Sequence, residues 1–65
     1  MNWFRCEFKV KDLKLTGNSE PYIISTKDYA DGKENAIEQA IEYLINERHV
    51  EVLAVLSAKA VMNYE

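Results

Sequence analysis

The chain has 65 residues, of which 48% are hydrophobic and 29% are charged, and its formal net charge is −3. This length suits a single domain with a thin core, and the composition is too apolar for a disordered segment. The sequence has no stretch near the roughly 20 apolar residues that cross a bilayer and no signal-peptide core, so neither membrane insertion nor export is expected.

The single cysteine, Cys6, limits both the compartment and the chemistry that we expect. It excludes an internal disulfide, and no Cys/His cluster predicts a structural metal site. We therefore expect a cytoplasmic protein without a bound metal or cofactor. The sequence also lacks a Gly-rich phosphate loop and a nucleophile elbow, and so small a domain leaves little room for a catalytic pocket. No enzymatic activity is predicted.

Residues 3–11 alternate between two kinds of side chain. One set is apolar and the other is polar or aromatic: Phe4, Cys6, Phe8 and Val10 against Trp3, Arg5, Glu7, Lys9 and Lys11. This alternation predicts a half-buried strand in which Cys6 is buried and unreactive. Turn-forming residues then predict a hairpin loop over residues 12–21. The β-branched and aromatic residues of 22–27 predict a second strand.

An amphipathic helix is predicted to begin near Gly32. Its apolar residues recur at helical spacing: Ala36, Ile37, Ala40, Ile41, Tyr43, Leu44 and Ile45. Asp31 and Glu34 have the spacing of a capping box, which would satisfy amides at the helix start. His49 lies just beyond the helical pattern, and we expect it to contribute to the C-terminal cap rather than to catalysis.

Residues 50–56 form an almost unbroken apolar run, which predicts a third strand. Simple alternation places Leu53 and Val55 on the opposite side from Val50 and Val52. A strand that is apolar on both sides is usually central or covered by a partner. Because Ala58-Lys59 lacks the Gly or Asn of a tight turn, the remaining residues either continue this strand past a kink or form a short fourth strand after a bulge.

Together these elements predict one small α+β domain over residues 1–65, with the order β-β-α-β. A right-handed crossover through the helix places the third strand beside the first. The prediction is an antiparallel sheet of three strands, or four with the C-terminal segment, in the order 2-1-3 with one helix packed on one face. The other face is left uncovered.

The uncovered sheet face is the first candidate partner-binding surface. Its predicted residues are Trp3, Arg5, Lys9, Leu53 and Val55. Aromatic and basic groups on open sheets hold bases and phosphates in several RNA-binding folds, so a nucleic-acid-binding module that also uses Lys27 is one alternative. The overall acidic charge disfavours that alternative. A protein partner or a second copy of the chain is the preferred ligand of this face.

The acidic face of the predicted helix is the second candidate surface. Residues 34–65 hold six acidic and two basic residues, whereas residues 1–33 hold five acidic and six basic residues. The residues of the candidate surface are Glu34, Glu38, Gln39, Glu42 and Asn46. Two interpretations stay open, because such a face keeps a small protein in solution or docks on a basic groove of a nucleic-acid-handling protein.

Two resemblances accompany these patterns. The segment KENAIEQAIEYLINE, residues 33–47, resembles the helix of HicB-type antitoxins, in which repeated alanines and acidic residues follow an antiparallel sheet. In size, acidity, single cysteine and β-β-α-β layout, the chain also resembles small phage-encoded inhibitors, among them anti-CRISPR proteins. Both resemblances imply a protein that works by binding another molecule, and neither assigns roles to particular residues.

The sequence therefore predicts a non-enzymatic interaction protein, an inhibitor or adaptor of phage or mobile-element type, that binds a protein partner without a cofactor. The first alternative is the nucleic-acid-binding module described above. The second is an antitoxin-like protein or a structural subunit that forms a homodimer through residues 50–56.

Overall fold

A computed structural model describes residues 1–13 and 20–61. Its strands are β1 (Asn2–Asp12), β2 (Tyr22–Ala30) and β3 (Val50–Val61), and between β2 and β3 lie α1 (Lys33–Tyr43) and a π-helical turn (Leu44–Arg48). The strands form one antiparallel sheet in the order β2-β1-β3, with α1 packed on one face. This arrangement confirms the predicted α+β class, the β-β-α-β order and the position of β3 beside β1.

The core lies between α1 and the even-numbered side chains of β1, as the alternation of β1 predicts. Its buried residues are Phe4, Cys6, Phe8, Val10, Ala30, Ala36, Ala40, Leu44 and Val50. The two alanines of α1 have no long side chain, so the helix can approach the sheet closely, and Phe8 and Leu44 are the largest fully buried side chains between them. The burial of Cys6 is confirmed.

The pairing of β1 with β2 extends both strands beyond their predicted ends. Their register runs from Asn2 opposite Ala30 to Val10 opposite Tyr22. Asp28, Tyr29 and Ala30 join β2 because β1 offers a partner for each, and this pairing outweighs the weak strand preference of Asp and Ala. Residues 14–19, which form most of the predicted hairpin loop, lie outside the described residues.

Strand β3 is one long strand that is interrupted by two bulges. Its pairing with β1 shifts by one residue between Glu7 and Phe8 and again between Lys9 and Val10. Each shift leaves one extra residue in β3, first Leu56 and then Leu53. Residues 57–61 therefore continue β3, which confirms the kinked continuation rather than a fourth strand.

The two ends of the helical region differ in how well the sequence predicts them. Helix α1 begins where predicted, but its N-cap is Gly32, which makes no side-chain cap hydrogen bond, so the predicted capping box of Asp31 and Glu34 is wrong. Asp31 precedes the N-cap, one residue too early for its carboxylate to accept from the first-turn amides. At the other end His49 is the cap, as predicted, and its left-handed backbone (φ 56°, ψ 49°) lets its amide donate to the Leu44 carbonyl.

Candidate interaction surfaces

The open sheet face consists of the odd-numbered residues of β1 and the residues opposite them on β2 and β3. The in-register pairs form cross-strand rows: Tyr29, Trp3 and Val61; Lys27, Arg5 and Lys59; Ser25, Glu7 and Ser57; and Ile23, Lys9 and Ala54. Within the described part of the chain, α1 lies on the opposite face and nothing packs across these rows. The placement of Trp3, Arg5 and Lys9 on this face agrees with the prediction.

An aromatic pair occupies one end of this face. The ring centroids of Trp3 and Tyr29 lie 5.2 Å apart, and the ring planes are inclined by 51°. The Nζ atom of Lys27 lies 5.8 Å from the centroid of the Trp3 ring, within the range of a cation–π contact. Because Tyr29 is 49% exposed, the pair offers aromatic surface to a ligand rather than to the core.

The open face is electropositive although the protein is acidic overall. Among the described residues, five Lys and Arg side chains and two carboxylates lie on this face, which gives it a net charge of +3. These cations are Arg5, Lys9, Lys11, Lys27 and Lys59. One of the carboxylates, Glu51, forms an ion pair of 3.7 Å with Lys11. The other, Glu7, accepts a hydrogen bond of 3.3 Å from Ser57.

The predicted placement of Val55 on this face is wrong, and the bulge removes the basis for that of Leu53. Val55 lies opposite the buried Phe8, and Leu53 is the extra residue of a bulge. The bulges change the alternation of β3, so counting every second residue from Val50 assigns Val55 to the wrong side. Both residues line an apolar groove beside the helical region.

This groove runs between the C-terminal part of the helical region and β3. Its volume is about 450 Å³, and its lining is largely apolar: Leu13, Ile41, Ile45 and residues 50–55. Four large side chains along it remain strongly exposed, with Leu13 at 55%, Ile45 at 44%, Leu53 at 41% and Val55 at 45%. The groove could not be predicted from the sequence because its walls are brought together only by the fold.

The acidic residues of the helical region are exposed, as predicted. Glu38, Gln39 and Glu42 line a shallow depression together with Asn35. Glu34, on α1, and Asn46, in the π-helical turn, are exposed as well.

The acidic stripe is defined here as Glu34, Glu38 and Glu42, and two of its members stand near the groove in the helical spacing. Glu38 precedes Ile41 by three residues, and Glu42 precedes Ile45 by three, so each carboxylate neighbours a side chain of the groove wall. The structure thereby places next to each other two features that the sequence presents separately.

The Cys6 thiol has the surroundings of a core residue rather than of a nucleophile. Its burial raises the pKa of the thiol, the nearby Asp28 carboxylate raises it further, and a hydrogen bond with Thr26 lowers it in part. Thr26 also donates a hydrogen bond of 2.8 Å to Asp28. The thiol is therefore held in its protonated, unreactive form at neutral pH.

By its fold, the chain is a small α+β protein. No family model matches the chain, and no curated protein and no solved structure is significantly similar to it. Within residues 1–13 and 20–61, no group of three or more His, Cys, Asp and Glu residues could hold a metal ion. In the same ranges no helix has the length and apolar character needed to cross a membrane.

Proposed function

We propose that this chain is a non-enzymatic interaction protein that binds a basic, amphipathic segment of a protein partner in the groove between α1 and β3. One observation carries the proposal: an apolar groove of about 450 Å³ lies along the helical region, and exposed glutamates stand three residues before each of the two isoleucines that line it. The partner acts in the cytoplasm, since a chain with one unpaired cysteine suits a reducing compartment. Occupying such a segment would block its other contacts, which is how a small inhibitor works.

The apolar part of the groove supplies the affinity in this proposal. Ile45, Leu53 and Val55 are each a little under half exposed. Full burial of such a side chain is worth about 1.5 to 3 kcal/mol, so covering the exposed half contributes about 1 kcal/mol for each. A helix of a partner that places its apolar side against these residues gains this free energy through the helix-in-groove mode of recognition.

The charges around the groove decide the kind of partner. Glu38 and Glu42 are exposed, and each precedes a groove-lining isoleucine by three residues, so their carboxylates neighbour that wall. A partner with Lys or Arg beside its apolar residues meets complementary charge there. A second copy of this chain would instead bring its own acidic stripe toward the first one. We therefore favour a basic segment of another protein over a homodimer through β3.

The test uses a synthetic helical peptide with leucines on one face and lysines on the other, and a matched peptide in which glutamates replace the lysines. Titration into ¹⁵N-labelled protein should shift the amide signals of Ile41, Ile45 and residues 52–55, and the acidic peptide should bind at least about tenfold more weakly. Shifts confined to the open sheet face would contradict the proposal.

Two variants and one control separate the contributions of the groove and of the stripe. Val55→Lys puts a cation in the apolar wall and should reduce binding of the basic peptide by about tenfold or more, because it removes about 1 kcal/mol of burial and adds repulsion. Glu38→Lys should weaken binding by about threefold to tenfold. Glu20→Lys makes the same change of net charge at an exposed residue outside α1 and should leave binding unchanged.

Three results would count against this function. They are equal effects of Glu38→Lys and Glu20→Lys, an unchanged affinity of Val55→Lys, and a sedimentation mass of twice the chain mass that Val55→Lys reduces. The last result would establish the homodimer in place of the basic partner.

A further inference from the structure

We infer that the open sheet face is a second binding site, whose ligand is single-stranded nucleic acid. The inference is independent of the groove, because none of the residues that carry it lines the groove. It is based on two features that the fold places side by side: the cation row Lys27–Arg5–Lys59 and the aromatic pair Trp3–Tyr29.

The cation row matches the phosphate backbone of such a ligand. Neighbouring strands of a sheet lie about 4.8 Å apart, so three adjacent cations span about 10 Å across the sheet. Lys9 adds a cation four residues further along β1 than Arg5, on the same face. Concentrating positive charge on one face of an acidic protein attracts polyanions to that face and away from the acidic stripe.

The aromatic pair distinguishes nucleic acid from an acidic protein segment. Trp3 and Tyr29 occupy the row next to the cation row, so a base stacked on either ring keeps its phosphate within reach of the cations. Such stacking tolerates every base, because each base has a π-face. An acidic peptide would use the cations but would gain little from the exposed ring of Tyr29.

The net charge of the whole chain does not describe the charge that a ligand of the open face meets. The formal charge of −3 is the sum of the +3 of this face and the negative charge of the rest of the chain. A ligand that touches only the open face responds to the local charge, since charges more than about 8 Å away are largely screened at physiological salt. The electrostatic footprint that the whole sequence lacks is therefore present on this one surface.

The experiment measures the binding of a fluorescein-labelled oligouridylate to the full chain by fluorescence anisotropy at several salt concentrations. With three phosphate contacts, one for each cation of the row, the logarithm of the affinity should fall with the logarithm of salt at a slope of about −2. Between about 50 and 200 mM salt this corresponds to a loss of about 20-fold. Absence of saturable binding at the lower salt concentration would overturn the inference.

A matched pair of variants tests where the contacts lie. Lys59→Gln and Lys33→Gln remove the same charge from exposed positions, one on the open face and one at the start of α1. Lys59→Gln should reduce the magnitude of the salt slope by about 0.7, whereas Lys33→Gln should leave the slope unchanged. Equal effects of the two variants, or no effect of either, would show that the protein does not bind the oligonucleotide through this face.

Two further variants test stacking. Tyr29→Leu and Trp3→Leu keep an apolar side chain but remove the aromatic face, and each should weaken binding by about tenfold. Tyr29 is the safer position because it is half exposed, and urea unfolding checks that each variant remains folded. If neither variant weakens binding, or if oligoglutamate competes as well as the oligonucleotide does, the site belongs to an acidic protein segment and the inference is wrong.

Discussion

The acidic stripe makes a prediction about stability that can be tested without knowing the partner. Glu34, Glu38 and Glu42 lie four residues apart on α1, so Glu38 takes part in two like-charge pairs. Each pair of this kind costs about 0.2 to 0.5 kcal/mol, and an opposite-charge pair at the same spacing contributes a similar amount. Glu38→Lys replaces two repulsions by two attractions, and we expect the free energy of unfolding to rise by about 1 kcal/mol.

The assays for this prediction are urea unfolding and thermal unfolding, both followed by far-UV circular dichroism. In a domain of this size, a gain of 1 kcal/mol raises the melting temperature by about 4 to 8 °C. The gain should shrink in 1 M salt, where the Debye length is about 3 Å. Glu20→Lys is the control, because it makes the same change of net charge away from α1.

The outcome bears on function as well as on stability. If Glu38→Lys stabilises the fold and also weakens peptide binding, the native glutamate lowers stability while it serves the interaction. An unchanged or lowered stability, or an equal gain from Glu20→Lys, would refute the account of the stripe as a set of repelling neighbours.

Three further predictions concern the packing around the groove and in the core. His49→Gly should raise the free energy of unfolding by about 0.5 to 1 kcal/mol, measured by thermal unfolding. A left-handed backbone costs an L-residue about 1 to 2 kcal/mol, and glycine recovers only part of this. A loss of stability would mean that the His49 side chain makes a stabilising contact. Leu44→Ala removes a fully buried side chain and should cost about 2 to 5 kcal/mol, enough to leave much of the protein unfolded in the circular dichroism spectrum. Cys6 should resist iodoacetamide until the protein unfolds. Because the pKa of this thiol is raised in the folded state, the unfolded chain releases the proton first, and stability should fall as the pH rises above the ordinary thiol value of 9.0. A Cys6→Ala variant should lose that part of the pH dependence.

Much of the fold could be predicted because the decisive signals are local. The alternation of β1 identifies its buried face, and the helical spacing from Ala36 to Leu44 identifies the buried side of α1. With three strands and one helix, the right-handed crossover leaves few topologies, and the observed order β2-β1-β3 is the one it favours. Local pattern and global arrangement agree at each of these positions.

The binding surfaces were less predictable because they depend on which residues lie opposite each other. A bulge is a property of a strand pair, so neither the extra residue Leu56 nor the extra residue Leu53 can be identified from β3 alone. The cation row likewise requires the registers of two strand pairs, since its members are far apart in the chain. For this reason the assignment of Val55 failed while that of Trp3 succeeded.

The amino-acid sequence by itself determined the class of the fold, the order of its strands, the residues of its core and the exposure of the acidic stripe, because hydrophobic periodicity acts over a few neighbouring residues. The tertiary structure alone decided that the cations of three strands form one row and that Leu53 and Val55 line a groove beside the stripe. Those arrangements arise from pairing between distant segments, in which the shift of a strand by one residue moves a side chain to the other face of the sheet.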